Sequence, residues 1–103
     1  MFEISDDARD LILARLEDAL EGRPELRRSA NRPGLRLNFR QNKAYLSLAF
    51  PKTTDEVVTF MGRPFLIVAQ EDLSVLEGVC LTVQQGPGGD GLSMVRRTVD
   101  VTL

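Results

Sequence analysis

Between Leu35 and Phe50 apolar and polar residues alternate twice over, and no other stretch restricts the fold as tightly. Leu35, Leu37 and Phe39 alternate with Arg36, Asn38 and Arg40; Leu46, Leu48 and Phe50 alternate with Tyr45, Ser47 and Ala49. A period of two places successive side chains on opposite faces, so each run predicts a strand with one dry and one wet side. The turn between them has to respect that phase. A two-residue loop at Gln41 and Asn42 pairs Arg40 with Lys43, Leu37 with Leu46 and Leu35 with Leu48, keeping every leucine on one side. A plain three-residue loop would set inward residues against outward ones. An antiparallel hairpin in this register is therefore expected.

Ahead of the hairpin, Ile4 ends a short extended lead-in and Ser5 is a good N-cap, because its hydroxyl can accept a bond from an orphan backbone N–H one turn on. Asp6, Asp7 and Asp10 follow, where the helix dipole favours negative charge. Ala8, Leu11, Ile12, Leu16, Ala19 and Leu20 recur at helical spacing, with Arg9, Asp10, Glu17, Asp18 and Glu21 largely outside. The pattern predicts a helix from Asp6 to Glu21, stopped by Gly22. Arg23 to Gly34 contains two Arg-Pro pairs with Ser29, Asn31 and Gly34, and reads as a loop with one helical turn over Glu25 to Arg28.

After the hairpin, Pro51 to Thr54 is a connection. Two strands are expected over Glu56 to Met61 and Phe65 to Ala69, separated by Gly62, Arg63 and Pro64. Phe65 to Ala69 is a continuous apolar run, the mark of a strand at a sheet centre. Asp72 suits an N-cap for a short helix over Leu73 to Glu77, stopped by Gly78. Val79 to Gln84 alternates again, and its expected partner is Leu92 to Arg97 across the turn-rich stretch from Gln85 to Gly91. Val99, Val101 and Leu103 alternate with polar residues, so the tail is expected to add an edge strand or to pack loosely.

The residue inventory excludes several chemistries. At 103 residues the chain is expected to be one domain, residues 1–103, able to bury roughly 60 to 70% of the surface its unfolded form exposes. There is no histidine, which removes the usual zinc sites, histidine proton transfer and Ser-His-Asp catalysis. The single cysteine, Cys80, cannot form an intrachain disulfide. No membrane span is present among the apolar runs. The acidic start Glu3, Asp6, Asp7 has no apolar signal core, so a cytoplasmic location is expected. The net charge of -2 hides an asymmetry. Acids dominate residues 1–21, whereas residues 23–43 carry Arg23, Arg27, Arg28, Arg32, Arg36, Arg40 and Lys43 against Glu25 alone. Such a basic stretch raises the question of an anionic partner.

Taken in order, the capped helix beginning Ile4-Ser5-Asp6-Asp7-Ala8, the Gly-Leu-Arg-Leu-Asn-Phe-Arg strand from Gly34 to Arg40, the Asp55-Glu56-Val57-Val58 return, the Leu66-Ile67-Val68 strand and the Asp72 to Gly78 turn resemble the HesB-like domain of A-type, IscA-like iron-sulfur carriers. The resemblance runs from residue 4 to residue 97, leaving 98–103 as a tail. It implies an α+β fold: a two-layer, mostly antiparallel β-sandwich with an N-terminal helix and one short helix packed on it. The family's chemistry depends on three cysteines, one in the turn after the Gly-Leu-Arg-Leu strand and two in a Cys-Gly-Cys motif near the C-terminus. Thiolates serve there because soft sulfur suits iron-sulfur clusters. Here that turn is Gln41, Asn42 and Lys43, and no Cys-Gly-Cys follows. The resemblance thus implies a degenerate member, with no catalytic, cofactor-binding or metal-ligating residues and no cofactor. Its expected role is that of a non-enzymatic accessory or interaction protein, with an unnamed protein partner and room for a homodimer.

The remaining features have ordinary readings. Cys80, flanked by Val79 and Leu81 and with no histidine to activate it, reads as structural. Gly86 to Gly91 lacks the lysine and the strand-loop-helix setting of a phosphate loop and reads as a flexible hairpin connection. The acid pairs Asp6 with Asp10, and Glu71 with Asp72, are explained as helix starts. The basic stretch is the least ordinary: Arg36, Asn38, Arg40, Lys43 and Tyr45 form a candidate anion or partner surface on the wet hairpin face. Weak nucleic-acid binding through residues 23–43 is the alternative function.

Overall fold

A computed structural model describes residues 2–27, 32–40 and 43–96. The chain begins with a two-residue strand β1 (Glu3–Ile4), then α1 (Asp6–Leu20) and a single turn α2 (Pro24–Arg27). The hairpin strands β2 (Gly34–Arg40) and β3 (Lys43–Ala49) follow, then β4 (Glu56–Phe60), β5 (Arg63–Val68), β6 (Val79–Gly86) and β7 (Gly89–Arg96). Two sheets result: one of four strands in the order β3-β2-β5-β4, and one of three in the order β1-β6-β7. The pairs β2·β3, β4·β5 and β6·β7 are antiparallel; β1·β6 and β2·β5 are parallel. The architecture is the α+β arrangement of two sheets and one main helix that the sequence suggests.

The hairpin register follows from its alternation. Leu35 pairs with Leu48, Leu37 with Leu46 and Arg40 with Lys43. Leu35 and Leu37 are buried, whereas Leu46 and Leu48 are only partly so, because β3 is the outer strand of its sheet. Phe50, expected on the dry side, instead lies past the end of β3 and is 45% exposed. Pairing stops at Gly34 with Ala49, since the next residue back is Pro33, which has no N–H to give.

Ser5 caps α1 as expected, its hydroxyl accepting from the Ala8 N–H at 3.1 Å. Gly22 takes a φ of 78° just past the helix end. Ala8, Ile12, Leu16 and Leu20 form the buried stripe of α1 and pack on Leu35, Leu37, Phe65, Leu66, Val68, Val79 and Leu81 from both sheets, and on Leu76 from the turn before β6. The helix therefore holds the two sheets to one core. Four consecutive residues of β5, Phe65 to Val68, are buried, as a strand between β2 and β4 requires.

Three local expectations are corrected. First, β5 starts at Arg63, so the β4–β5 turn is only Met61 and Gly62, both at positive φ (54° and 78°), the pattern of a two-residue hairpin turn. The register then shifts between Val58 and Thr59, leaving Phe65 as an extra residue and tolerating Pro64 beside the bulge. Second, no α-helix forms over Leu73 to Glu77. A 3₁₀ turn at Gln70–Asp72 is capped by Ala69 without a side-chain bond, and the chain continues to Val79 through bonds of the i to i+3 kind, such as the Leu76 N–H to the Leu73 oxygen at 3.2 Å. Leu76, between the end of β5 at Val68 and the start of β6 at Val79, is fully buried, and the tighter winding delivers it to the core. Third, the glycine-rich stretch after Gln85 is ladder rather than loop, with Gln85 opposite Asp90 and Gly86 opposite Gly89 across Pro87 and Gly88. Arg97, expected as the end of the last strand, and residues 98–103, expected as an edge strand or a loose tail, lie outside the described part of the chain.

Candidate functional site

The wet face of the β2–β3 hairpin, singled out above, is organised by an acid from elsewhere in the sequence. Arg36 donates through both terminal nitrogens to Asp55, at 3.2 Å and 2.5 Å, in the two-pronged geometry that best suits guanidinium and carboxylate. The same carboxylate accepts the Lys52 backbone N–H at 2.7 Å, and the Asp55 N–H returns to the Lys52 oxygen at 3.0 Å. Asp55 thereby ties the β3–β4 connection to β2. Its side chain is 3% exposed and that of Arg36 is 17% exposed. The guanidinium, and next the Lys52 N–H, hold the Asp55 carboxyl below the usual carboxylate range, outweighing the opposing effect of burial. Arg36 is correspondingly raised, chiefly by the hydrogen bond to Asp55.

Asn38 spends its amide within the same face, donating to the Ser47 hydroxyl at 2.8 Å and to the Arg36 carbonyl at 3.2 Å. Tyr45, opposite Asn38 in the register, is half exposed. Arg40 and Lys43 face each other at the hairpin tip, but their side chains lie outside what is described. Of the five residues in the expected anion or partner surface, the structure thus brings Arg36, Asn38 and Tyr45 to one face, with the Arg36 charge already matched. Nothing in the sequence ties Arg36 to Asp55, 19 positions away, and only the tertiary fold reveals the pair.

Cys80 is the second residue of β6, across from Glu3 on one side and Val95 on the other. Its half-buried thiol reaches its neighbour's Leu81 carbonyl at 3.9 Å. Among the described residues no three His, Cys, Asp or Glu side chains converge as a metal site. The sequence holds one thiol and no imidazole.

A second region carries no sequence signal of its own. An open cleft of about 660 Å³ runs along β4, with Phe2, Ile4, Phe65 and Leu73 among its apolar walls and Glu56 and Glu77 among its polar ones. Arg9, expected to point outward from α1, folds over it. Its guanidinium carbon is 4.4 Å from the Phe60 ring centre, and its terminal nitrogens meet Asp6 and Asp10 at 3.3 Å each. The long apolar stem of arginine makes this possible, covering an aromatic ring while the charged head stays with acids. Phe2 and Phe60 are 58 positions apart in the sequence, and no local pattern joins them.

Among the described residues no helix is long and apolar enough to cross a membrane. No protein-family model matches the chain, and no curated protein matches it in sequence. In structure, the chain is similar to a crystal structure of IscA with the [2Fe-2S] cluster, with a TM-score of 0.51, 18% identity, and coverage of 100% of this chain and 91% of that one. At that identity the likeness concerns the backbone arrangement, and it agrees with the α+β layout described above: the chain has an IscA-like fold.

Proposed function

We propose that this protein is a non-catalytic accessory or protein-interaction module built on an IscA-like fold, degenerate in that it does not itself ligate a cluster. One observation carries the reading: an IscA-like backbone spans the whole chain, yet the sequence offers a single thiol, and that thiol sits inside a sheet against its own strand. A cluster carried as cargo needs several thiolates at one place. Even two copies of this chain supply only two. The reading places the protein in the cytoplasm and takes another protein as partner, with a second copy of the chain as the simplest case.

Anaerobic reconstitution with iron and sulfide tests the ligand-free part. The expected result is no thiolate-to-iron charge-transfer absorbance after desalting; a stoichiometric cluster overturns the proposal. Co-purification followed by gel filtration tests the partner, and light scattering tests self-association. Support for the nucleic-acid alternative is weaker, because Arg36 is engaged by Asp55. Titration with single strands at low salt, where phosphate contacts are strongest, is expected to give no saturable binding.

A further inference from the structure

The cleft beside β4 follows the edge of a sheet. All five residues from Glu56 to Phe60 line it. Successive strand residues point to opposite faces, so a hollow against one face would take only every second residue; five in a row means that it follows the strand's unpaired side. The strand order agrees: among the described residues β4 ends its sheet, and β1, whose Ile4 forms part of the opposite wall, ends the other. Such an edge presents a row of N–H and C=O groups able to pair with another strand, and natural edges are commonly guarded by charge, proline or a bulge. Glu-Val-Val-Thr-Phe carries one charge, at its first position, and the bulge of this hairpin falls on β5, not on β4. Val57 to Phe60 are thus regular and unguarded. Glu56 stands opposite Val68 and Val58 opposite Leu66, both members of the core, so Glu56, Val58 and Phe60 share the inward side of β4. On that side Arg9 lies over the Phe60 ring at 4.4 Å. Its Nε is shielded from water and has no hydrogen-bond partner among the described residues.

We propose that two copies of this chain join edge to edge through β4, antiparallel about a two-fold axis at Val58, so that their four-stranded sheets become one continuous sheet. Centred there, the strand is its own complement. Val58 lies opposite the partner's Val58, Val57 opposite the partner's Thr59 and Glu56 opposite the partner's Phe60. Centring on Val57 would set Phe60 against the partner's Thr54, and centring on Thr59 would set Glu56 against the partner's Gly62; both fall beyond the strand, so Val58 alone pairs all five residues. Residues directly opposite in an antiparallel pair have Cβ atoms about 5 Å apart, which brings Glu56 beside the ring that the partner's Arg9 covers, on the same inward side. The two-fold axis makes that contact twice. Asp6 and Asp10 already meet the terminal nitrogens of Arg9 at 3.3 Å each, and Glu56 of the partner subunit adds an acceptor to a guanidinium whose Nε still lacks one. This pairing rests on the proposed function only in taking a second copy as the partner; whether the chain ligates a cluster is decided separately, by reconstitution.

Sedimentation of the full chain from about 5 to 500 μM tests it, with an expected dimer Kd on the order of tens of micromolar, since a five-residue edge is a small interface. Amide exchange within 57–60 is expected to slow as concentration rises, while the buried α1 stretch from Ile12 to Leu16 serves as an unchanged reference. Arg9→Glu sets the partner's Glu56 against three acids and is expected to weaken the dimer by about tenfold or more, with far-UV circular dichroism confirming that the variant is folded. Mixing it with Glu56→Arg, only the Arg9→Glu chain carrying a fluorescent label, is expected to return that chain to the dimer, because the mixed pair has opposite charges at both contacts. Four results overturn the proposal: a monomer throughout, a dimer that Arg9→Glu leaves unchanged, a folded Arg9→Glu chain that mixing does not restore, or protection of 57–60 that is the same at every concentration, which would assign the edge to a cover from within the chain. A monomer would leave the ligand-free reading standing, and a reconstituted cluster would leave the dimer standing.

Discussion

Removing the Asp55 carboxylate by Asp55→Ala tests whether the Arg36 pair is a structural tie. The wild-type carboxylate accepts three hydrogen bonds, two from Arg36 and one from the Lys52 N–H, and its side chain is 3% exposed. Hydrogen bonds to charged groups contribute about 1.5 to 3 kcal/mol, but Arg36 keeps 17% exposure and regains some water when its partner goes, so the expected loss is about 2 kcal/mol in total. For a chain of this size that shifts a urea midpoint by about 1 to 2 M at pH 7. The pH dependence has a definite sign. Because the folded carboxyl titrates below its unfolded value, its stabilisation is complete above the ordinary aspartate range near pH 4 and is lost as pH falls through the depressed folded value. Wild-type and variant midpoints should therefore converge below about pH 4. Urea unfolding followed by circular dichroism at pH 7 and in the acid range measures both. A variant within about 0.5 kcal/mol of wild type at pH 7, or a gap that persists unchanged into acid, would refute the assignment.

Other substitutions probe the core, a cap and a turn. Ile12→Ala opens a cavity where α1 meets both sheets and is expected to cost about 3 kcal/mol in chemical denaturation. Ser5→Ala removes the hydroxyl that accepts the Ala8 N–H and should cost about 1 kcal/mol, read by the same unfolding curve. Met61 is 90% exposed at a φ of 54°, so Met61→Gly relieves a left-handed backbone without losing packing. A thermal midpoint raised by a few degrees, from about 0.5 to 1 kcal/mol, is expected.

Wherever a single element carries its own period, its structure was legible in the residues. The β2–β3 register followed because slipping one position would turn Leu35 and Leu37 out to water. The start of α1 followed because Ser5 and its acids answer needs local to a helix end. Leu73 to Glu77 misled because an aspartate, a few apolar residues and a glycine serve a 3₁₀ run as well as a helix, and the choice was made by where Leu76 had to land. Phe65 to Val68 gave a central strand but not the bulge at Phe65, since a bulge records a mismatch with a neighbouring strand. On the hairpin face, Arg36, Asn38 and Tyr45 were legible as sharing a side; the state of the Arg36 charge was not.

By itself, then, the sequence determined what depends on neighbours along the chain: helix and strand periods, the hairpin's phase, and the chemistries excluded by one cysteine and no histidine. Tertiary structure alone decided which distant groups meet. Asp55 neutralises Arg36, Arg9 lies over Phe60, and two sheet edges leave a cleft between them. The physical reason is that periodicity encodes which side of an element is apolar, whereas partners for charges and open edges are set by how whole elements pack, which no local pattern records.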